Sequence, residues 1–114
     1  MHMIDWNTYR GQLAAGVGEL AKLSPDTVKG YRQLSQARTD TGGLDAKTRE
    51  LVSIALAVAL RCDGCIATHA MGARKAGATA ADVADALAIA VAMNAGAAMV
   101  YSTRVLDAFA AAEP

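Results

Sequence analysis

The segment that decides the fold is residues 45–77, which have the sequence DAKTRELVSIALAVALRCDGCIATHAMGARKAG. Asp45 is a typical helix N-cap, because its carboxylate can accept hydrogen bonds from the unpaired N–H groups of a first turn. Residues 51–60 are apolar except for Ser53. A helix that is apolar on every face is usually buried. The sequence therefore predicts a helix that starts at Asp45, is buried nearly all round and ends near Arg61.

A second helix is predicted after a short turn. Residues 61–64, Arg-Cys-Asp-Gly, indicate the turn, and the helix is expected over residues 65–76. Gly77 ends it, because glycine readily adopts the left-handed conformation that terminates many helices. These two helices are expected to meet in one helix–helix contact.

Two more helices are predicted before this segment. Residues 6–22 carry apolar side chains at helical spacing, and Asp5 is the candidate N-cap. Residues 24–26, Ser-Pro-Asp, start the next helix, because proline suits the first helical position and an acid suits the first turn. Residues 39–43, with two glycines, are expected to break this helix in a loop.

The remainder of the chain is also expected to be helical. Thr79 is predicted to cap a fifth helix, with Asp82 in its first turn. Residues 94–96, Asn-Ala-Gly, are expected to break or kink that helix, and residues 97–111 would then form the last one. The pattern thus predicts an all-α bundle of about six helices.

The composition favours the same fold class. The 114 residues include 27 alanines, and only 4% are aromatic. Alanine favours helices, whereas sheets favour branched and aromatic side chains. The length predicts a single domain over residues 1–114. With 54% hydrophobic and 19% charged residues, the chain is not expected to be disordered.

The charge balance excludes some functions and favours association. Eleven basic and eleven acidic side chains give a formal net charge of zero, which argues against binding nucleic acid. An apolar fraction of 54% is more than one small core needs. The sequence therefore predicts a homo-oligomer in which helix faces are buried between subunits.

A membrane span is the competing explanation for the apolar content. Residues 86–103 contain no charge and are about long enough to span a bilayer. Eight of these 18 residues are alanine or glycine, and Asn94 and Ser102 interrupt the stretch, so a buried helix pair is the better interpretation. Residues 1–10 lack the apolar core of a signal peptide. The two cysteines are accordingly expected to be cytoplasmic thiols.

Four residues form the candidate site: Glu50, Cys62, Cys65 and His69. Cys62 and Cys65 form a C-x-x-C motif, whose sulfurs can close a disulfide at a helix start. His69 follows Cys65 by one helical turn and can accept its proton. Glu50 lies on the preceding apolar helix and can hold His69 in one tautomer, as in nucleophile–base–orienter triads.

A thiolate is what this chemistry requires. A free cysteine has a pKa of about 8.5, so it is mostly protonated at neutral pH. A helix N-terminus and a neighbouring imidazole both favour the thiolate. Asp63 would oppose it if its side chain pointed inward, so this carboxylate is expected to face solvent or to cap the helix.

Other interpretations of these residues remain open. The cysteines could be two small buried apolar side chains, and Glu50 could form a salt bridge with Lys47. The same four candidate side chains could also bind zinc. Against this, the helix limits how two cysteines and a histidine only four residues after the C-x-x-C motif can surround one ion. Thiol redox chemistry without a metal or bound cofactor is the preferred interpretation.

The spacing of these residues resembles a known active-site signature. The pattern resembles the signature of the alkylhydroperoxidase D-like branch of the carboxymuconolactone decarboxylase family. In this chain Glu50 is followed by eleven residues, then by Cys62-x-x-Cys65, and after three more residues by His69. The flanking residues 44–52, 76–79 and 90–94 resemble it too, and the similarity covers about residues 34–109.

This resemblance implies an all-helical fold, usually trimeric or hexameric, with sites near subunit contacts. It implies a cysteine pair that reduces hydroperoxides and is re-reduced by a dithiol partner, with Glu50 and His69 as the proton relay. Decarboxylases of the family generally lack the cysteine pair, so its presence counts against that activity.

The sequence therefore predicts a thiol peroxidase or disulfide reductase. Cys65 is expected to attack the peroxide, and Cys62 is expected to be the sulfur that the reductant meets. A lactone decarboxylase and a non-catalytic oligomer that senses redox state are the alternatives.

Overall fold

The computed structural model describes residues 2–114, and this part of the chain contains five α-helices and no strand. The helices are α1 Trp6–Leu23, α2 Pro25–Ser35, α3 Ala46–Leu60, α4 Asp63–Lys75 and α5 Ala80–Ala111. The all-α prediction is confirmed.

Local hydrogen bonds determine where three of the helices begin. Asp5 and Asp45 each accept a bond from the backbone N–H three residues later, at 3.1 and 2.8 Å. Thr79 and Asp82 form a reciprocal capping box at the start of α5. The predicted caps of α1, α3 and α5 are therefore confirmed.

These caps make the stability of the fold dependent on pH. Hydrogen bonds from backbone N–H groups hold the pKa of Asp5, Asp45 and Asp82 below their ordinary value of 3.8. A carboxyl group whose pKa is lower in the folded state stabilises the fold. This stabilisation is complete well above pH 3.8 and is lost as the pH falls through the lowered pKa values. We expect the thermal midpoint, followed by circular dichroism, to fall as the pH drops below about 4.

A matched variant separates capping from ionisation. Asparagine caps helices about as well as aspartate but does not titrate, so Asp45→Asn should weaken the acid dependence while keeping α3. A thermal midpoint that fell equally in Asp45→Asn and in the wild type would contradict the assignment of this effect to Asp45.

The connection between α3 and α4 is very short. Arg61 ends α3 in a left-handed conformation with φ 55°, and its N–H donates to carbonyls of the last turn of α3. Cys62 is the N-cap of α4, so this helix begins at Asp63 and not at Cys65 as predicted. Gly77, with φ 86°, follows the end of α4, in agreement with the prediction.

The core lies where α3 packs against α4 and α5, while α1 packs against α2 and α4. Most of the buried side chains are alanines, which allow the helices to approach closely; they are Val28, Ile54, Ala57, Ala67, Ala73, Ala86 and Ala90. The expectation that α3 is buried nearly all round is wrong for the single chain. Val52, Leu56 and Leu60 are 46%, 56% and 72% exposed, because α4 and α5 cover only the opposite face.

The predicted break at residues 94–96 does not occur. α5 is one helix of 32 residues, so the described chain has five helices instead of about six. The Asn94 side chain donates to the Ala90 carbonyl at 2.7 Å, within the helix. A single Gly96 costs only about 1 kcal/mol relative to alanine, which a long helix tolerates.

The second half of α5 extends beyond the core. Every residue of positions 91–111 except Gly96 is exposed. The Cα radius of gyration is 18.5 Å, whereas about 13 Å is typical of this length. The surface is 9015 Å², about 3,000 Å² more than a folded monomer of this mass normally exposes. α5 is also long and apolar enough to cross a membrane, judged by length and composition alone.

Candidate thiol–disulfide site

Cys62 and Cys65 form a disulfide at the start of α4. Their Cα atoms are 5.2 Å apart, within the usual range for a disulfide. The Cys62 sulfur also accepts a hydrogen bond from the Cys65 backbone N–H at 3.1 Å. Both cysteines are half-buried, so the sulfurs lie at the edge of the fold and not in its core.

The helix N-terminus determines the electrostatics at these sulfurs. The first turn of α4 has unpaired N–H groups and a partial positive charge, which favour a thiolate once the disulfide is reduced. Asp63, between the cysteines, is exposed, as the sequence led us to expect. Its carboxylate can therefore be solvated, which weakens its unfavourable effect on a nearby thiolate.

Glu50 and His69 meet across the α3–α4 contact. The His69 Nδ1–H donates to Glu50 Oε2 at 2.8 Å, and the side chains are 31% and 28% exposed. A carboxylate that accepts from Nδ1 favours the tautomer in which Nε2 carries no proton. The neutral ring is then oriented to accept a proton at Nε2. Lys47, the alternative partner considered for Glu50, instead forms an ion pair with Asp82, with 3.5 Å between Lys47 Nζ and Asp82 Oδ2.

The disulfide and the Glu50–His69 pair are joined through α4. Cys65 and His69 are four residues apart on this helix, so they lie one turn apart on the same face. The structure thus places Cys62 and Cys65 at the start of α4 and the Glu50–His69 pair at the contact between α3 and α4. Glu50 holds the Nδ1 side of the His69 ring, which leaves Nε2 as the nitrogen that can accept a proton.

A cavity of about 500 Å³ opens beside His69 and Glu50. Its wall includes Tyr31 from α2 and Arg49 and Ser53 from α3. The Arg49 guanidinium donates to the Ala37 carbonyl at 3.3 Å and so ties α3 to the segment after α2. This cavity could admit a small polar molecule to the pair.

The sequence did not single out these lining residues. Arg49 and Ser53 flank Glu50 on α3 and are four residues apart, so they lie on one face of the helix. That polar stripe was the available signal. Tyr31 gave no such signal, because its position at the cavity depends on how α2 packs.

The donor set does not favour the zinc interpretation. Among residues 2–114, no group of three or more His, Cys, Asp or Glu side chains is arranged to hold a metal ion. The two sulfurs are bonded to each other, and Glu50 is hydrogen-bonded to His69. The four side chains therefore bond to one another in two pairs and do not surround a common ion position.

The fold and the site together define an all-helical protein with a C-x-x-C disulfide beside a Glu–His pair. The sequence pattern of the carboxymuconolactone decarboxylase family matches residues 25–108. The chain belongs to this family. Members of the family are typically soluble.

Relatives share both sequence and fold with this chain. An uncharacterized protein of Haemophilus influenzae is 47% identical over 105 residues, covering 92% of this chain and 93% of the relative. The crystal structure of an apo carboxymuconolactone decarboxylase family protein from Legionella pneumophila is similar, with a TM-score of 0.73 and 35% identity, covering 91% and 93%. A structure from Methanobacterium thermoautotrophicum has a TM-score of 0.70 and 30% identity, covering 78% and 97%.

Proposed function

We propose that this protein is a thiol-dependent peroxidase of the alkylhydroperoxidase D-like branch, or a disulfide reductase with the same cysteine pair. One observation carries the proposal. A disulfide-forming C-x-x-C lies at a helix N-terminus, one turn before a histidine that a carboxylate holds at 2.8 Å. The cysteine pair also distinguishes this chain from the decarboxylases of the family, which by the resemblance described above generally lack it.

The peroxidase reaction has three steps. The Cys65 thiolate attacks one oxygen of the hydroperoxide, the O–O bond breaks, and the alcohol leaves after taking a proton, so that Cys65 becomes a sulfenic acid. The Cys62 thiol then attacks that sulfur, water leaves, and the Cys62–Cys65 disulfide forms. A dithiol reductant exchanges with this disulfide, restores both thiols and is itself oxidised to a disulfide.

Each of the other two residues has a separate role in these steps. His69 Nε2 accepts the proton of the Cys65 thiol and returns it to the departing alkoxide. Glu50 accepts the Nδ1–H bond, keeps the ring in the required tautomer and stabilises its charged form. No step requires a bound cofactor or metal.

The reductant is proposed to meet Cys62 first. Cys62 is the N-cap of α4 and precedes the first helical turn, whereas Cys65 lies within it. Continuous turnover needs a supply of dithiols, so we place the protein in the cytoplasm, where thiols are kept reduced.

We further propose that copies of this chain cover one another to form a trimer or hexamer. A groove of about 530 Å³ between α3 and α5 is lined mostly by apolar side chains, among them Leu56, Ile89 and Met93, together with Asp82 and Asp85. The surplus surface of about 3,000 Å² per chain is the amount that permanent oligomers bury. With zero net charge, the copies do not repel one another over long distances.

A thiol titration tests the redox function. The reduced protein has two thiols per chain, and one equivalent of tert-butyl hydroperoxide should remove both. With excess dithiothreitol, the protein should consume many equivalents of hydroperoxide. A single stoichiometric loss of thiols without turnover would indicate a redox sensor instead. Thiols that do not react with hydroperoxide, together with activity on a carboxylated lactone, would indicate a decarboxylase.

A further inference from the structure

Gly72 occupies a position on α4 where no side chain fits. It lies three residues after His69, and therefore on the same side of the helix. A Cβ atom built on Gly72 would lie 2.6 Å from Cδ and Oε2 of Glu50 and 2.7 Å from its Oε1. All three distances are shorter than a nonbonded carbon contact allows. The Glu50 carboxyl group thus fills the space that a side chain at position 72 would need.

The other helical glycines differ from Gly72. A Cβ on Gly64 would lie nearest to the Leu13 side chain, at 3.2 Å. At the remaining helical positions a Cβ would meet nothing within 4 Å; these are Gly11, Gly16, Gly18, Gly30 and Gly96. Among the helical glycines in the described chain, Gly72 alone faces an ionisable side chain.

We propose that Gly72 is a positioning residue that acts through Glu50 on His69. The atoms that a methyl group would strike are the end of a flexible side chain and not backbone. Alanine at position 72 should therefore push the carboxyl group aside and leave α4 intact. The 2.8 Å bond between Glu50 Oε2 and His69 Nδ1 would then be lost.

The consequence for the chemistry rests on the proposed peroxidase function. Without the carboxylate, the neutral ring is free to carry its proton on Nε2. In that tautomer Nε2 cannot accept the proton of a thiol. Gly72 would thereby keep His69 able to act as a base, although it touches neither the sulfurs nor the substrate.

The tautomer of His69 tests this inference without any activity assay. The chain has only two histidines, so selective ¹⁵N labelling gives two rings, and exposed His2 serves as the internal reference. Spectra are recorded at about pH 9, where histidine rings are ordinarily neutral. The wild type should show His69 protonated on Nδ1, and Gly72→Ala should shift it toward Nε2–H.

A matched substitution serves as the control. Gly30→Ala also places alanine in a helix, at a position where the methyl group meets nothing. It should leave the His69 tautomer unchanged and, like Gly72→Ala, retain the helical signal. In the hydroperoxide assay Gly72→Ala should lower kcat at least about tenfold, a part of what general acid–base catalysis typically contributes, with little change in KM.

A double-mutant cycle decides whether Gly72 acts through Glu50. In a Glu50→Ala background the space beside Gly72 is empty, so adding Gly72→Ala should change neither the tautomer nor kcat further. If Gly72→Ala alone fails to fold, the double variant should fold.

Three results would overturn the inference: an unchanged tautomer in Gly72→Ala, a further effect of that substitution in the Glu50→Ala background, or a double variant that fails to fold. A wild-type protein without hydroperoxide turnover would refute the proposed function, while the tautomer comparison would still decide the role of Gly72.

Discussion

Replacing either cysteine with serine is expected to reduce hydroperoxide turnover to the background rate. A serine hydroxyl does not ionise near neutral pH, and it forms neither a sulfenic acid nor a disulfide. Cys65→Ser removes the sulfur that we propose as the attacking group, and Cys62→Ser removes the one that resolves the sulfenic acid. The measurement is the rate of hydroperoxide loss with excess dithiothreitol, and the expected decrease is at least about 100-fold.

The two single variants should differ after one equivalent of hydroperoxide. Cys62→Ser should retain a Cys65 sulfenic acid, detected by mass spectrometry as one added oxygen or by a sulfenic-acid reagent. Cys65→Ser should stay unoxidised at the remaining thiol. The reverse result would exchange the roles of the two sulfurs. Full activity in the Cys62→Ser, Cys65→Ser double variant, with unchanged circular dichroism, would refute thiol catalysis altogether.

An aspartate in place of an apolar side chain of the groove between α3 and α5 is expected to dissociate the oligomer. Leu56 and Met93 are 56% and 69% exposed in the single chain, so an aspartate at either position stays solvated there. In an assembly that covers the groove, the same carboxylate would be buried without a partner. Burying an unpaired charge costs several kcal/mol per ion, enough to weaken association more than about 100-fold.

Light scattering after size-exclusion chromatography measures this effect. The wild type should have a mass that is a multiple of 11.7 kDa, and Leu56→Asp with Met93→Asp should elute as the 11.7 kDa chain. Gln12→Asp, on an exposed position of α1, introduces the same charge away from the groove and should keep the wild-type mass. A wild-type monomer would contradict the oligomer. Binding of that monomer to phosphatidylcholine vesicles would assign the exposed apolar face to a membrane surface instead.

Much of the fold could be predicted from the sequence because its determinants are local. The capping bonds of Asp5, Asp45 and Thr79 join residues three apart, so residue type and spacing suffice to locate them. The error at residues 94–96 has a physical cause. Asparagine and glycine favour turns, but the free energy gained by continuing a long helix is larger. Within this helix the Asn94 side chain donates a hydrogen bond to the preceding turn.

Only part of the predicted site depends on residues that are close together in the sequence. Cys62, Cys65 and His69 lie within eight residues, so a single helix N-terminus already determines their relative positions. Glu50 is 19 residues from His69, and only the packing of α3 on α4 brings the carboxylate to 2.8 Å. The polar residues of the adjacent cavity depend on the same packing, which is why spacing along the chain did not identify Tyr31.

By itself, the amino-acid sequence determined the helical class, most of the helix starts and the cysteine–histidine spacing, because each of these depends on interactions within one or two turns. Only the tertiary structure decided that Glu50 bonds to His69 and that Gly72 leaves room for its carboxyl group. It also decided which faces of α3 and α5 the single chain leaves uncovered. These features depend on the distance and rotation between packed helices, which a sequence pattern along one helix does not specify.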